Sequence, residues 1–306
     1  MERDVFHYLK EHLNVYWLRP ESALWDAIAS YEINKLEMPG IDVDLGSGNG
    51  IFSFITAGGE FSDAFDWFIQ ADITEKDKNV FEFFDPSRFR KEFIKKQPDI
   101  PYKIAFDKSS VMLEQAKTLR WYEEYREGDI NEGYPFADES IESIFSNIIY
   151  WTADPNPSMK ELRRVLKKGG KAILCLPDKN FLDFCPSYKS DLPLYRWLHK
   201  LNRGRASCIA KYFTLSEIKG LAKKHGFRLL YHKTYLTREL LLFWDVGLRP
   251  IIRQLLKMVS YLDDKERLEV KKEWIIQLFD DLSPVVEREL KVDAPRGFHL
   301  CVLEKK

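Results

Sequence analysis

The run Asp44-Leu45-Gly46-Ser47-Gly48-Asn49-Gly50 is where the residue types of this chain most directly suggest chemistry. It follows a short apolar stretch, Ile41 to Leu45, opened by Pro39-Gly40, and it leads into the start of a helix. Glycines at such a turn let backbone N–H groups approach a ligand and take positive φ without steric cost. The spacing is G-x-G-x-G, whereas a dinucleotide fingerprint needs G-x-G-x-x-G, and no G-x-x-x-x-G-K-S/T cradle for a triphosphate is present. Alone, the loop is weak evidence, because a tight strand–helix turn is the alternative reading. Carboxylates lie further along: Asp107 ends a second strand-like segment, Asp129 comes 22 residues later, and Asp72 stands 22 residues after Gly50. A carboxylate has two acceptor oxygens and can accept from paired donors.

Positioning these groups requires a framework. Val5, Tyr8, Leu9, Leu13, Tyr16 and Trp17 recur at helical spacing across residues 3–18, Arg19-Pro20 breaks the pattern, and a second helix is expected over Glu21–Asn34. Strands are expected at Ile41–Leu45, Tyr102–Phe106, Ile141–Ile149, Lys171–Leu176 and Phe298–Leu303, with helices at Ser109–Leu119 and Pro157–Leu166. Such alternation predicts an α/β fold, a mostly parallel sheet with helices on both faces. Three stretches fall outside it. Residues 51–100 hold ten of the 21 phenylalanines, residues 178–212 are irregular and basic, and residues 238–292 are helical. In the last, Ile251, Leu255, Met258, Val259 and Leu262 are expected to line one face. The expected organisation is an N-terminal helical lid (1–38) and a core (39–237 and 293–306) interrupted by 55–100 and 178–212. A helical insertion (238–292) completes it.

Composition narrows the class. Over 306 residues the chain is 45% hydrophobic, 31% charged and 14% aromatic, which excludes intrinsic disorder. No apolar run approaches the ~18 residues of a membrane span. A net charge of −1 argues against a globally basic nucleic-acid binder. Cys175, Cys185, Cys208 and Cys301 are far apart and form no C-x-x-C pair, which suits reduced thiols in a cytoplasmic protein rather than a zinc site or disulfide scaffold.

Read in order, IDVDLGSGNG, IAFDKSSVMLEQAK, REGDI, YPFADESIESIFSNIIYW and ADPNPSMKELRRVLKKGGKAILCLPD resemble class I S-adenosylmethionine-dependent methyltransferases, closest in flavour to the ubiquinone/menaquinone-biosynthesis type. The resemblance covers residues 39–54 and 102–178. It implies a Rossmann-like, doubly wound seven-stranded sheet, mostly parallel, with one antiparallel strand near the C-terminus. It also implies S-adenosylmethionine as cofactor, with Asp44, Gly46, Ser47, Gly48 and Gly50 framing its methionine part. Asp107, with Lys108 beside it, would take the ribose, Asp129 and Ile130 the adenine, and Asn147 the methionine amine. Asp72 competes for the ribose role, but the pattern D-x-S-x-x-M-L-x-x-A begins at Asp107. Asp42 departs from the family, which has an apolar residue there, and suggests a short first strand. Tyr150-Trp151 replaces the His-Trp pair frequent in relatives and so removes one general base.

Methyl transfer is an in-line displacement, and proximity and orientation supply much of the catalysis. A base is needed where the acceptor carries a proton, as a hydroxyl does. His199 is the first candidate, Tyr150 the second and His232 the third. No N/D/S-P-P-Y/F/W loop follows the fourth strand, so nucleic-acid bases are poor acceptor candidates, and no acidic cluster suggests a metal. From Leu192 to Ser216 there is no acid, while Arg196, Lys200, Arg203, Arg205 and Lys211 give +5. Arg203 and Arg205 are therefore expected to grip a phosphate or carboxylate of the acceptor. Tyr8, Tyr16, Trp17 and Trp25 would form the lid, with Tyr16 and Trp151 against the acceptor and Arg19 reaching the methionine carboxylate. Residues 238–292 would form an apolar pocket wall or a homo-oligomer contact. The expected function is O-methylation of an anionic sugar-, lipid- or metabolite-type small molecule. A non-catalytic partner subunit and a nicotinamide-dependent oxidoreductase are the rivals.

Overall fold

The computed structural model describes residues 3–68, 85–189 and 209–306. Two helices come first, α1 Val5–Val15 and α2 Pro20–Asn34. Asp4 caps α1 by accepting from the His7 N–H, and Pro20 opens α2, where its missing N–H would have had no partner. Next come β1 Ile41–Leu45, α3 Ile51–Thr56, β2 Glu60–Phe61, β3 Ile94–Lys96, β4 Tyr102–Asp107, α4 Ser110–Thr118 and β5 Glu124–Glu127. β6 Ile141–Ser146, α5 Asn156–Val165, β7 Leu166–Pro177, α6 Asn180–Phe184, α7 Leu215–Lys224 and β8 Phe227–Thr237 follow. The chain ends with α8 Arg238–Val246, α9 Ile252–Val259, α10 Asp264–Lys291 and β9 Arg296–Lys305.

Seven strands form one sheet in the order β5-β4-β1-β6-β7-β9-β8. β1, β4, β5, β6 and β7 pair in parallel, and β9 runs antiparallel to both of its neighbours. This is the doubly wound, mostly parallel sheet expected from the sequence, with its antiparallel strand at the C-terminus. The chain leaves β1 towards β4 and β5, then crosses back to β6 on the other side. That reversal opens a crevice at the carboxyl end of β1, the usual ligand position in such sheets.

Alternate strand residues enter two cores. Val43, Leu45, Ile144 and Leu174 pack with α5 and α7, whereas Phe145, Ile173, Leu300 and Val302 join α1, α2, α3 and α8. Asp42, on β1, ties the amino ends of three strands: its carboxylate meets Lys103 Nζ at 2.7 Å and accepts from the Glu142 N–H at 2.7 Å. β1 is five residues long, in keeping with the short first strand expected. Between α3 and β4, β2 and β3 form a small antiparallel pair, and Phe61 stacks on Phe65 at 4.4 Å. Helix α10 is pinned by buried cations. Asp66 accepts from Arg267 Nε at 2.9 Å and from Trp17 Nε1 at 3.0 Å, and Lys271 donates to Asn14 Oδ1 at 2.7 Å.

Several expectations are corrected. β6 stops at Ser146, not Ile149, because the Ser146 hydroxyl turns back to the Leu45 carbonyl at 2.9 Å and Ile149–Trp151 winds into a 3₁₀ turn. β7 starts at Leu166 rather than Lys171, a register shift letting its first residues pair with Ile141. Part of the stretch expected to be irregular is the helix α6, anchored by the buried Phe181. In α9 the buried residues are Ile252, Leu256 and Val259, while Ile251 is 46% and Met258 65% exposed. Ile251 belongs to a separate 3₁₀ turn before α9, so it does not share that helix's face. Tyr8 and Trp17 are wholly buried and act as core rather than pocket lining.

Candidate active site

Each glycine of the loop after β1 has positive φ: +81° at Gly46, +54° at Gly48 and +75° at Gly50. The Gly46 N–H donates to the Phe106 carbonyl at 2.7 Å, and the Gly50 N–H donates to that of Ser47 at 3.0 Å, at the head of α3. A Cβ at Gly46 would lie 2.2 Å from Ile148 Cδ1, and one at Gly50 would lie 2.9 Å from Tyr122 Cε2. A Cβ at Gly48 would meet nothing within 4 Å. The outer glycines are therefore demanded by packing, and the middle one borders open space, a cradle that a side chain would fill.

Asp107 faces this loop from the end of β4. Its Oδ2 accepts from the Gly48 N–H at 2.9 Å and its Oδ1 from the Ser109 N–H at 2.9 Å. Each oxygen retains acceptor capacity for a further donor. Asp44 supports the loop from beneath. It is buried and accepts from the Tyr122 hydroxyl at 2.5 Å. Burial pushes its carboxyl up to about 6, against hydrogen bonds from Ser53 and Tyr122, and the charge of Asp107 adds to the rise. Beyond β5, Asp129 accepts from the Asn131 N–H at 2.9 Å and Nδ2 at 2.7 Å, and the backbone bond holds its carboxyl below the usual range. Lys108 is exposed nearby, its charge adding to that lowering, and Ile130 is buried. Asn147 is half-buried directly after β6. The glycines, Asp107, Asp129 and Asn147 thus follow the carboxyl ends of four adjacent strands, a row about 14 Å across at the usual strand spacing.

The N-terminal segment reaches the same place. The Tyr16 phenol comes close to the Asn49 side chain of the loop, and burial raises it far above the ordinary value. Arg19 is buried, paired through Nε with the buried Glu21 and through Nη2 with Ser22 Oγ at 2.9 Å. Asp26, which the sequence reading did not single out, lies on α2 within electrostatic reach of both Tyr16 and Arg19. Burial pushes its carboxyl up to about 7, with Arg19 opposing. Its only sequence signal is an acid on the helix face that carries Ser30 one turn later.

Other candidates are less well placed. Tyr150 is half-buried, its ring edge-on to Phe298 at 5.8 Å and its carbonyl accepting from the Ala210 and Lys211 N–H groups. Trp151 is 42% exposed on the same turn. His232 lies on the edge strand β8, four strands and about 19 Å from β1. Its Nε2 is 2.9 Å from His299 Nδ1, and His299 Nε2 is 2.8 Å from Asp178 Oδ2, so it ends a relay away from the crevice. His199, Arg203, Arg205 and Asp72 lie outside the described residues. Among the described residues no group of three or more His, Cys, Asp or Glu could hold a metal, and no helix is long and apolar enough to cross a membrane.

A family model described as a methyltransferase domain matches residues 98–174, from the approach to β4 into β7. Residues 98–174 thus match a methyltransferase domain, set within the doubly wound seven-stranded sheet. No curated protein matches the methyltransferase. Among solved structures it is similar to an S-adenosylmethionine-dependent methyltransferase of Thermotoga maritima, at 21% identity over 76% of this chain and 85% of that one, TM-score 0.40. It is also similar to one from Methanosarcina mazei, at 15% identity over 90% and 96%, TM-score 0.43. The cyclase SpnF aligns at 12% identity over 90% and 80%, TM-score 0.47.

Proposed function

We propose that the crevice above Gly48 binds S-adenosylmethionine and that the protein transfers its methyl group to the oxygen of an anionic small molecule. The observation that carries the cofactor reading is the Gly48–Asp107 unit. A left-handed glycine bordering open space is strapped to a carboxylate that keeps acceptor capacity for a diol. When bound, the cofactor supplies an electrophilic methyl carbon on a sulfonium. The chain's part is to hold and orient. The loop's backbone and Asn147 would meet the methionine end, Asp107 the ribose, and Asp129 with Ile130 the adenine. Tyr16, close to Asn49, borders the loop on one side and would help exclude water. Tyr150 follows β6 beside Asn147 and is the described candidate to receive an acceptor proton.

The anionic acceptor rests on the acid-free run Leu192–Ser216 with Arg203 and Arg205. Replacing both arginines is expected to raise the acceptor KM with little change in kcat; an unchanged KM would remove this part of the reading.

Thermal unfolding with S-adenosylhomocysteine, and with NADH in parallel, tests the cofactor. Ligand at ~100 times its Kd should add about 2.7 kcal/mol of stability. S-adenosylhomocysteine is expected to raise Tm and NADH to leave it unchanged, with the shift largely lost in Asp107→Ala. A shift with NADH alone would overturn the reading.

A further inference from the structure

Asp26 lies within electrostatic reach of Tyr16 and Arg19, yet the loop pattern leaves it without a role. Its position follows from the helices that carry it. Ser30, one turn later on the same face of α2, has its hydroxyl 2.7 Å from that of Thr56, the last residue of α3. His12 of α1 lies at the same level, 2.9 Å from Ser30 Oγ and stacked on Phe52, one turn back on α3. A further step towards the start of both helices brings Asp26 opposite the glycine loop that precedes α3. Tyr16 gives a second tie, lying close to Asn49 while interacting electrostatically with Asp26.

Asp26 is half-buried there. Among the described residues no hydrogen bond or ion pair reaches its carboxylate. A half-buried carboxyl that is open to the crevice and has no cation in contact holds its proton more readily than one in water, and can be reached by a cationic ligand. The other groups around it do not supply one in contact. Arg19 is committed to Glu21 and Ser22, and His12 is pulled down to about 3 by burial and so stays neutral. Asp44 and Asp107 add negative charge on the β1 and β4 side of the loop. Where α8 packs on the start of α2, Glu21 is paired, Asp245 accepts from the Ser187 N–H at 2.7 Å, and burial lowers Arg249, with the Arg19 charge adding.

We propose that Asp26 is the counter-charge for the cationic methionine end of the bound cofactor and releases a proton when that end binds. The inference rests on the crevice being the S-adenosylmethionine site. S-adenosylmethionine carries an α-ammonium and a sulfonium, and S-adenosylhomocysteine carries only the α-ammonium. Without ligand, Asp26 is protonated below about pH 7, and a cation favours the ionised form. Affinity therefore rises with pH, by up to about tenfold per unit on the acid side, and levels off above.

Calorimetric titration of both ligands from about pH 5.5 to about 8.5, in two buffers of different ionisation heat, tests this. The wild type is expected to weaken towards acid pH and to release a proton on binding. Asp26→Asn is expected to bind about tenfold or more weakly near pH 8 and to lose the proton release that centres near 7. Any residual pH dependence centred near 6 belongs to Asp44. Equal losses for the two ligands assign the α-ammonium; a loss confined to S-adenosylmethionine assigns the sulfonium. Asp26→Glu, which keeps the charge, is expected to retain proton release at reduced affinity and covers the case in which the Asn variant fails to fold. Wild-type affinity and proton release in Asp26→Asn would overturn the proposal, as would weakened binding with an unaltered pH slope. Failure of the wild type to bind either ligand at any pH would instead sink the cofactor site itself.

Discussion

At the scale of single residues, the three loop glycines separate fold from function. Gly46 and Gly50 are hemmed in by Ile148 and Tyr122, whereas Gly48 borders open space. Gly46→Ala is expected to cost more than about 2 kcal/mol, because left-handed strain and overpacking add. Gly48→Ala should cost only about 1 kcal/mol of strain, yet weaken S-adenosylhomocysteine binding tenfold or more by putting a methyl group into the cradle. Urea unfolding of both variants, with ligand titration, checks the contrast; equal stability losses would contradict it. The glycine spacing and Asp107 were legible in the sequence because they are local and fall next to a strand. Asp26 and Tyr122 were not, since each meets the loop from an element distant in the chain and carries no motif.

Elements are held together by a few buried polar ties whose chemistry makes them testable. Asp66 joins α10 to Trp17 through Arg267, both partners buried. Asp66→Ala strands the Arg267 charge and is expected to cost about 3–5 kcal/mol in urea unfolding, with Asp66→Ala/Arg267→Met recovering part of it. The α1–α2–α3 contact depends on a neutral His12, bonded to Ser30 and pulled down to about 3 by burial. Its folded value lies below the unfolded 6.5, so the unfolded chain binds more protons between about 3 and 6.5, and stability is lost as pH falls through that window. The loss contributed is up to ~1.4 kcal/mol per pH unit. Glu11, Asp26 and Asp44 act in the opposite sense: burial raises all three, to about 7, 7 and 6, so each withdraws stability as pH rises towards neutrality. His12→Gln is expected to flatten the acid limb of the Tm–pH profile while leaving the neutral limb in place. Helix boundaries in this region were readable from Arg19-Pro20; the ties were not, because a buried ion pair leaves no period in a sequence.

On the scale of the whole molecule, one apolar cluster runs from α1 and α2 across a sheet face to α8, α9 and α10. A continuous core predicts one cooperative unfolding transition rather than separate melting of N-terminal, central and C-terminal parts. Coincident far- and near-ultraviolet circular dichroism melts would show it, and two resolved transitions would contradict it. Deleting residues 238–292 is expected to give insoluble chain rather than a trimmed methyltransferase, because Val286 and Leu282 belong to that core.

What the sequence by itself determined is the alternating α/β pattern, the glycine turn and the family-like order of motifs, all of which depend on residues close together in the chain. Periodicity and turn chemistry are local, so they survive in one dimension. Only the tertiary structure decided which distant side chains meet them: Tyr16 on Asn49, Tyr122 on Asp44, Asp26 above the loop, and His232 four strands away from it. The physical reason is that desolvation and pairing arise between elements. A carboxylate on a helix looks the same in sequence whether it faces bulk water or, like that of Asp26, sits half-buried with no hydrogen-bond partner among the described residues.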